Sequence, residues 1–232
     1  MKNGNAYSAA GIKLLLLVFF WFFLHSGTGE VSGQGSPAVW WLLDCSGSMW
    51  GRTPEGPKYR RAVEIIRSTI AAYPGAEYGL ITFGRRDRGD CNDIEILVPP
   101  GPRSGDSIRA VLKTIRPNGK SPIGKALQTA GAAADAPRDN FLILLSDGIE
   151  ACDGNPVQEA AALRESGVIK AIHAIWFPKT DGDSLTMRSI ADASGGALHS
   201  AHAMPSSAEW IIKSEKPIAL TRAPLPPPAP LY

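Results

Sequence analysis

The sequence predicts an α/β fold in which a mostly parallel sheet is covered by helices on both faces. Three observations carry that prediction. Val39-Trp40-Trp41-Leu42-Leu43 and Phe141-Leu142-Ile143-Leu144-Leu145 contain no polar residue, the pattern of short strands buried on both sides. Helical patterns of about 10–16 residues separate the strand-like runs, as crossover connections between parallel strands require. Each of the two runs also ends in an acidic turn, Asp44-Cys45-Ser46-Gly47-Ser48 and Ser146-Asp147-Gly148. Open parallel sheets bind ligands at that carboxyl edge.

The elements follow in order. Residues 39–43 form the first strand. Residues 58–73 repeat apolar side chains at helical spacing (Ala62, Ile65, Ile66, Thr69, Ile70), with Lys58, Arg61, Glu64 and Arg67 on another side. Pro57 suits the helix start and Pro74-Gly75 the stop. Strands are expected at 77–83 and at 94–98, the second closed by Pro99-Pro100-Gly101-Pro102. A short amphipathic helix spans 106–115, and an alanine-rich one 122–134. After the strand at 141–145 come a helix at 156–166, a strand at 169–177, a helix around 185–191 and a weak strand near Ala197. A last helix is expected at 206–213.

Both ends fall outside this pattern. Lys13 precedes eleven apolar residues, Leu14 to Leu24, and small residues lead to Gly29. At about 1.5 Å per residue the run covers about half of a ~30 Å hydrocarbon core. Residues 1–29 therefore read as a secretory signal, with an uncleaved anchor as the alternative. A linker at 30–37, a domain at 38–213 and a Pro-rich tail at 214–232 follow. Six prolines in 215–232 make that tail extended. Losing the signal removes Lys2 and Lys13, so 24 basic residues become 22 against 22 acidic. A near-neutral mature chain gives no case for nucleic-acid binding. Its expected place is periplasmic or secreted, with no permanent membrane span once the signal is cleaved.

Candidate chemistry lies at the carboxyl edge. Asp44, Ser46 and Ser48, at i, i+2 and i+4, have metal-ligand spacing directly after a strand. Asp147 reaches the same edge from the other buried strand, and Ser121 precedes a helix between them. The five side chains form an all-oxygen set with two carboxylates, suited to Mg²⁺ or Mn²⁺. A bound ion keeps residual positive charge for an external carboxylate. The plainer alternative is that all five cap turns and helices. Gly119-Lys120-Ser121 is not a phosphate loop, because Thr114 stands where that motif needs glycine. Ser46 lacks the flanking glycines of a hydrolase elbow. His173, His199 and His202 read as packing or surface residues.

These residues resemble the von Willebrand factor type A domain with its metal-ion-dependent adhesion site, through Asp44-x-Ser46-x-Ser48, Ser121 in Gly-Lys-Ser-Pro-Ile-Gly, and Asp147 in Leu-Leu-Ser-Asp-Gly. The resemblance covers roughly residues 38–213 and is strongest to exported bacterial members. It implies a three-layer, doubly wound, Rossmann-like fold with six strands in the order 3-2-1-4-5-6, strand 3 being an antiparallel edge. It also implies a metal-dependent protein-binding or adhesion module, not an enzyme, whose partner offers an acidic residue to the ion. Ser121 stands where the family usually has Thr, which keeps the hydroxyl but loses a rotamer-restricting methyl. A metal-dependent hydrolase of the cell envelope is the alternative, with Glu150, Asp153 and Lys120 as candidate bases by chain position.

Three cysteines in an exported chain imply one disulfide and one thiol. In the family's strand order, Cys91 and Cys152 lie in loops flanking strand 1 and are expected to pair, with two free loop thiols as the alternative. Cys45 is expected to be a buried small hydrophobe.

Overall fold

The computed structural model describes residues 37–53, 56–134, 138–178, 184–204, 217–218 and 220. The expected signal segment and the 206–213 helix lie outside them. Six strands form the central sheet: β1 (Ala38–Asp44), β2 (Glu77–Phe83), β3 (Ile94–Val98), β4 (Asn140–Ser146), β5 (Ile169–Trp176) and β6 (Leu198–Ser200). Their order is β3-β2-β1-β4-β5-β6. β3 runs antiparallel to β2, and every other pairing is parallel. The helices are α1 (Lys58–Ala72), α2 (Ser104–Val111), α3 (Ile123–Ala133), α4 (Pro156–Glu165) and α5 (Leu185–Ala193). Among the described residues no helix is long and apolar enough to cross a membrane.

Strand alternation divides the core into two layers. Val39, Trp41, Leu43 and Cys45 pack with Ile65, Ile66 and Ile70 of α1 and Ile108 of α2. Ala38, Trp40 and Leu42 pack with Leu127 of α3, Ala160 of α4 and Ile190 of α5. Every residue of β1 is buried, which is why its sequence carries no polar position before Asp44. Cys45 is the buried free thiol expected. Ile218, assigned by sequence to the extended tail, is instead fully buried in the α1-side core, with Leu220 packed against it.

One close approach inside the sheet makes a test of this packing. Trp40 is paired with Gly79 across the β1–β2 ladder, and a Cβ on Gly79 would stand 2.3 Å from the indole ring. Gly79→Ala is expected to destabilise by about 1–3 kcal/mol through overpacking. That exceeds the roughly 0.5–1 kcal/mol that losing a strand glycine would otherwise return. A urea midpoint at or above the parent's would count against this account.

Candidate functional site

Three loops at the carboxyl edge are joined through their main chains. The Cys45 N–H donates to Phe83 O (2.8 Å), Asn118 N–H to Cys45 O (2.8 Å), Gly47 N–H to Gly119 O (3.0 Å) and Gly119 N–H to Gly84 O (2.7 Å). Ser46 and Gly119 form an isolated parallel bridge. Gly84 has φ +67°, and a Cβ there would lie 1.9 Å from the Lys120 carbonyl oxygen. Only glycine fits at that crossing. The result delivers Ser121, buried just before α3, to the end of β1.

The side chains then converge. The Asp44 Oδ2 accepts from Ser121 Oγ (2.9 Å) and Ser146 Oγ (2.6 Å), and its Oδ1 accepts from the Ser46 N–H (2.8 Å). Ser46 Oγ and Ser48 Oγ share a 3.0 Å hydrogen bond. Four of the five sequence-designated oxygens thus form one connected cluster. Ser146 completes it and was missed by sequence reasoning, its only signal being a hydroxyl ending a buried strand.

Burial pushes the Asp44 carboxyl up to about 6, against hydrogen bonds from Ser146 and Ser46 that lower it, with the Asp147 charge adding a further rise. A raised carboxyl makes folding favour the protonated form. Its contribution is full below about pH 4 and is lost as pH rises through about 6, a difference of roughly 3 kcal/mol.

Asp147 comes to the site differently. Its Oδ2 accepts from Lys58 Nζ at 2.9 Å, with side-chain exposures of 0 % and 1 %. Its Oδ1 is buried and has no hydrogen-bond partner. Helical periodicity placed Lys58 on the polar side of α1, and the structure corrects this. As the first residue of α1, Lys58 directs its side chain back beyond the helix start, into the carboxyl edge.

Cys91 and Cys152 are disulfide-bonded, with Cα atoms 5.7 Å apart, so the expected pairing forms. Beside it, Glu150 accepts the Gly124 N–H at Oε2 and the Cys152 N–H at Oε1, both at 2.9 Å. Both oxygens of this candidate base are therefore engaged in tying the start of α3 to the disulfide loop. His173 and His199 stack with ring centroids 5.7 Å apart on β5 and β6, while His202 lies beyond β6.

The donor chemistry suits a hard divalent ion: the Asp44, Ser46, Ser48 and Ser121 groups are joined by hydrogen bonds, and the buried Asp147 Oδ1 is an acceptor with no hydrogen-bond partner. Among the described residues no group of three or more His, Cys, Asp and Glu side chains is placed to hold a metal ion. Trp50 and Ile149, each two residues past a site residue, remain 43 % and 41 % exposed on the same loops. Trp50 is pinned there by its indole N–H donating to Pro117 O at 2.9 Å.

The von Willebrand factor type A domain family matches residues 39–150. The uncharacterised protein YwmD of Bacillus subtilis (strain 168) is 30 % identical over 205 residues, covering 84 % of this chain and 90 % of its own. An aerotolerance-related membrane protein from Bacteroides fragilis NCTC 9343 has a similar structure, with TM-score 0.59 and 18 % identity over 71 % of this chain and 90 % of that one. Proximal thread matrix protein 1 from the mussel byssus, solved with a zinc-occupied MIDAS motif, gives TM-score 0.56 and 20 % identity over 74 % of this chain and 43 % of that one.

Proposed function

As a chain that belongs to one family with YwmD and carries a von Willebrand factor type A domain, this protein is, we propose, a metal-dependent protein-binding module acting in the periplasm or outside the cell. Asp44, Ser46, Ser48, Ser121 and Asp147 would hold Mg²⁺ or Mn²⁺. The observation that carries the reading is the largely buried oxygen cluster at the sheet's carboxyl edge, with Asp147 Oδ1 unsatisfied. When bound, the ion supplies a positive centre for a carboxylate of the partner protein.

The chain's own groups divide the remaining work. Asp44 is oriented by Ser121, Ser146 and the Ser46 amide, so its carboxylate is preorganised. Main-chain bonds between the loops keep Ser46, Ser48 and Ser121 in place. Trp50 and Ile149 offer apolar contact area beside the polar centre, the combination typical of an interface anchor. The mussel byssus protein shows that this fold can hold zinc at such a motif, so Zn²⁺ belongs among the ions tested. With both Glu150 oxygens engaged, the hydrolase alternative lacks its nearest carboxylate base.

Calorimetric titration with Mg²⁺, Mn²⁺ and Zn²⁺ tests the reading. The protein is expected to bind a divalent ion, and Asp44→Ala to abolish that binding. A bound ion must displace the Asp44 proton, so affinity is expected to fall about tenfold per pH unit below about 6. Absence of binding at millimolar metal and neutral pH would overturn the coordination claim.

A further inference from the structure

The Lys58 ammonium pairs with Asp147, whose charge acts on Asp44 at the end of β1. It lies 2.9 Å from Asp147 Oδ2 and is almost wholly inaccessible to water. Its position is set by the main chain, because the Lys58 N–H donates to Gly51 O at 3.0 Å. Gly51 lies against the lysine stem: a Cβ there would stand 3.4 Å from Lys58 Cε and 3.7 Å from Nζ. Asp44 and Asp147 give the cluster two formal negative charges when both are ionised, and Lys58 returns one of them.

We propose that Lys58 is a specificity-determining residue that makes the ion and an acidic ligand bind as a pair, an inference resting on the metal-dependent binding proposed for this site. A divalent ion beside two carboxylates alone would be neutralised. With Lys58 present, the same ion leaves one net positive charge in a water-poor setting, where charge interactions are stronger than in bulk water. That excess weakens retention of the ion alone and strengthens the pull on an incoming carboxylate. Coupling of this kind is reciprocal: whatever the ligand adds to ion affinity, the ion adds to ligand affinity.

Lys58→Met keeps an unbranched side chain that ends one atom short of Nζ, and removes the charge. Titration calorimetry and thermal melts of the parent and K58M with Mg²⁺, with and without acetate as the carboxylate probe, test the proposal. K58M is expected to bind Mg²⁺ at least about tenfold more tightly and to gain more melting temperature from it than the parent does. Acetate is expected to tighten Mg²⁺ binding in the parent more than in K58M. Folding of K58M only when Mg²⁺ is present would support the same conclusion, with the ion replacing the ammonium beside Asp147. The double variant K58M/D147N removes the pair without leaving a bare carboxylate, and should fold without metal and bind Mg²⁺ no more tightly than the parent.

K58M that stays unfolded in millimolar Mg²⁺, an acetate effect undiminished in K58M, or tight binding by the double variant would each overturn the proposal. Mg²⁺ binding by the parent with no gain in K58M would overturn it while leaving the metal-site reading intact. Binding by neither protein would overturn both.

Discussion

Asp147→Ala is expected to lower the unfolding free energy of the metal-free protein by about 3–5 kcal/mol. The reason is the ion pair that this candidate ligand makes with Lys58. Lys58 is buried against Asp147 Oδ2, and deleting the carboxylate strands an ammonium where water cannot solvate it. A turn-capping aspartate would cost only about 1 kcal/mol, so the magnitude separates the two roles. Urea unfolding at neutral pH reads the change as a shift in midpoint, with the slope against denaturant preserved if the folded and unfolded ensembles are otherwise unchanged. A loss near 1 kcal/mol would remove the ion pair from the account of this fold. The double variant K58M/D147N should recover most of the loss, because breaking a buried pair costs far more than replacing both members.

Replacing Cys91 and Cys152 together by serine is expected to cost about 4 kcal/mol in the chain-entropy view, given their separation of 61 residues. The effect should extend to the site. Glu150 takes one amide from the disulfide loop at Cys152 and one from the start of α3 at Gly124, and Ser121 stands two residues before that helix. A loosened loop therefore frees the element that positions the Ser121 hydroxyl. Unfolding midpoints of the parent and the double serine variant check the first effect, and metal titrations of both check the second. Equal midpoints would exclude the disulfide as a major stabilising link. Equal metal affinities would limit its role to stability.

What could be read in the sequence was what local patterns dictate. β1 and β4 were legible because strands buried on both faces cannot carry polar residues before their ends. That Asp44, Ser46, Ser48 and Ser121 lie together was legible because their oxygen-bearing side chains stand at the end of β1, in the turn after it or just before a helix. Lys58 was not, because periodicity assigns a side chain to a helix face but not to what waits beyond the helix start. The two-residue ladder of Arg52–Thr53 with Gly56–Pro57 carries too few residues for alternation to register. Ser146 reaches Asp44, and Glu150 reaches Gly124, by hydrogen bonds across long sequence separations that no local pattern announces. Ile218 sits among prolines, whose composition points outward although the side chain is buried.

The main-chain stitching among the loops after β1, after β2 and before α3 has an evolutionary consequence. Hydrogen bonds such as Gly47 N–H to Gly119 O and Asn118 N–H to Cys45 O are indifferent to most side chains around them. Trp50 and Ile149 can therefore be exchanged over time while the cradle of oxygens holds its shape, with Gly84 among the few fixed points. Under the proposed binding role, partner choice and the chemistry at the centre would be heritable separately, so a lineage could acquire a new partner without rebuilding the site.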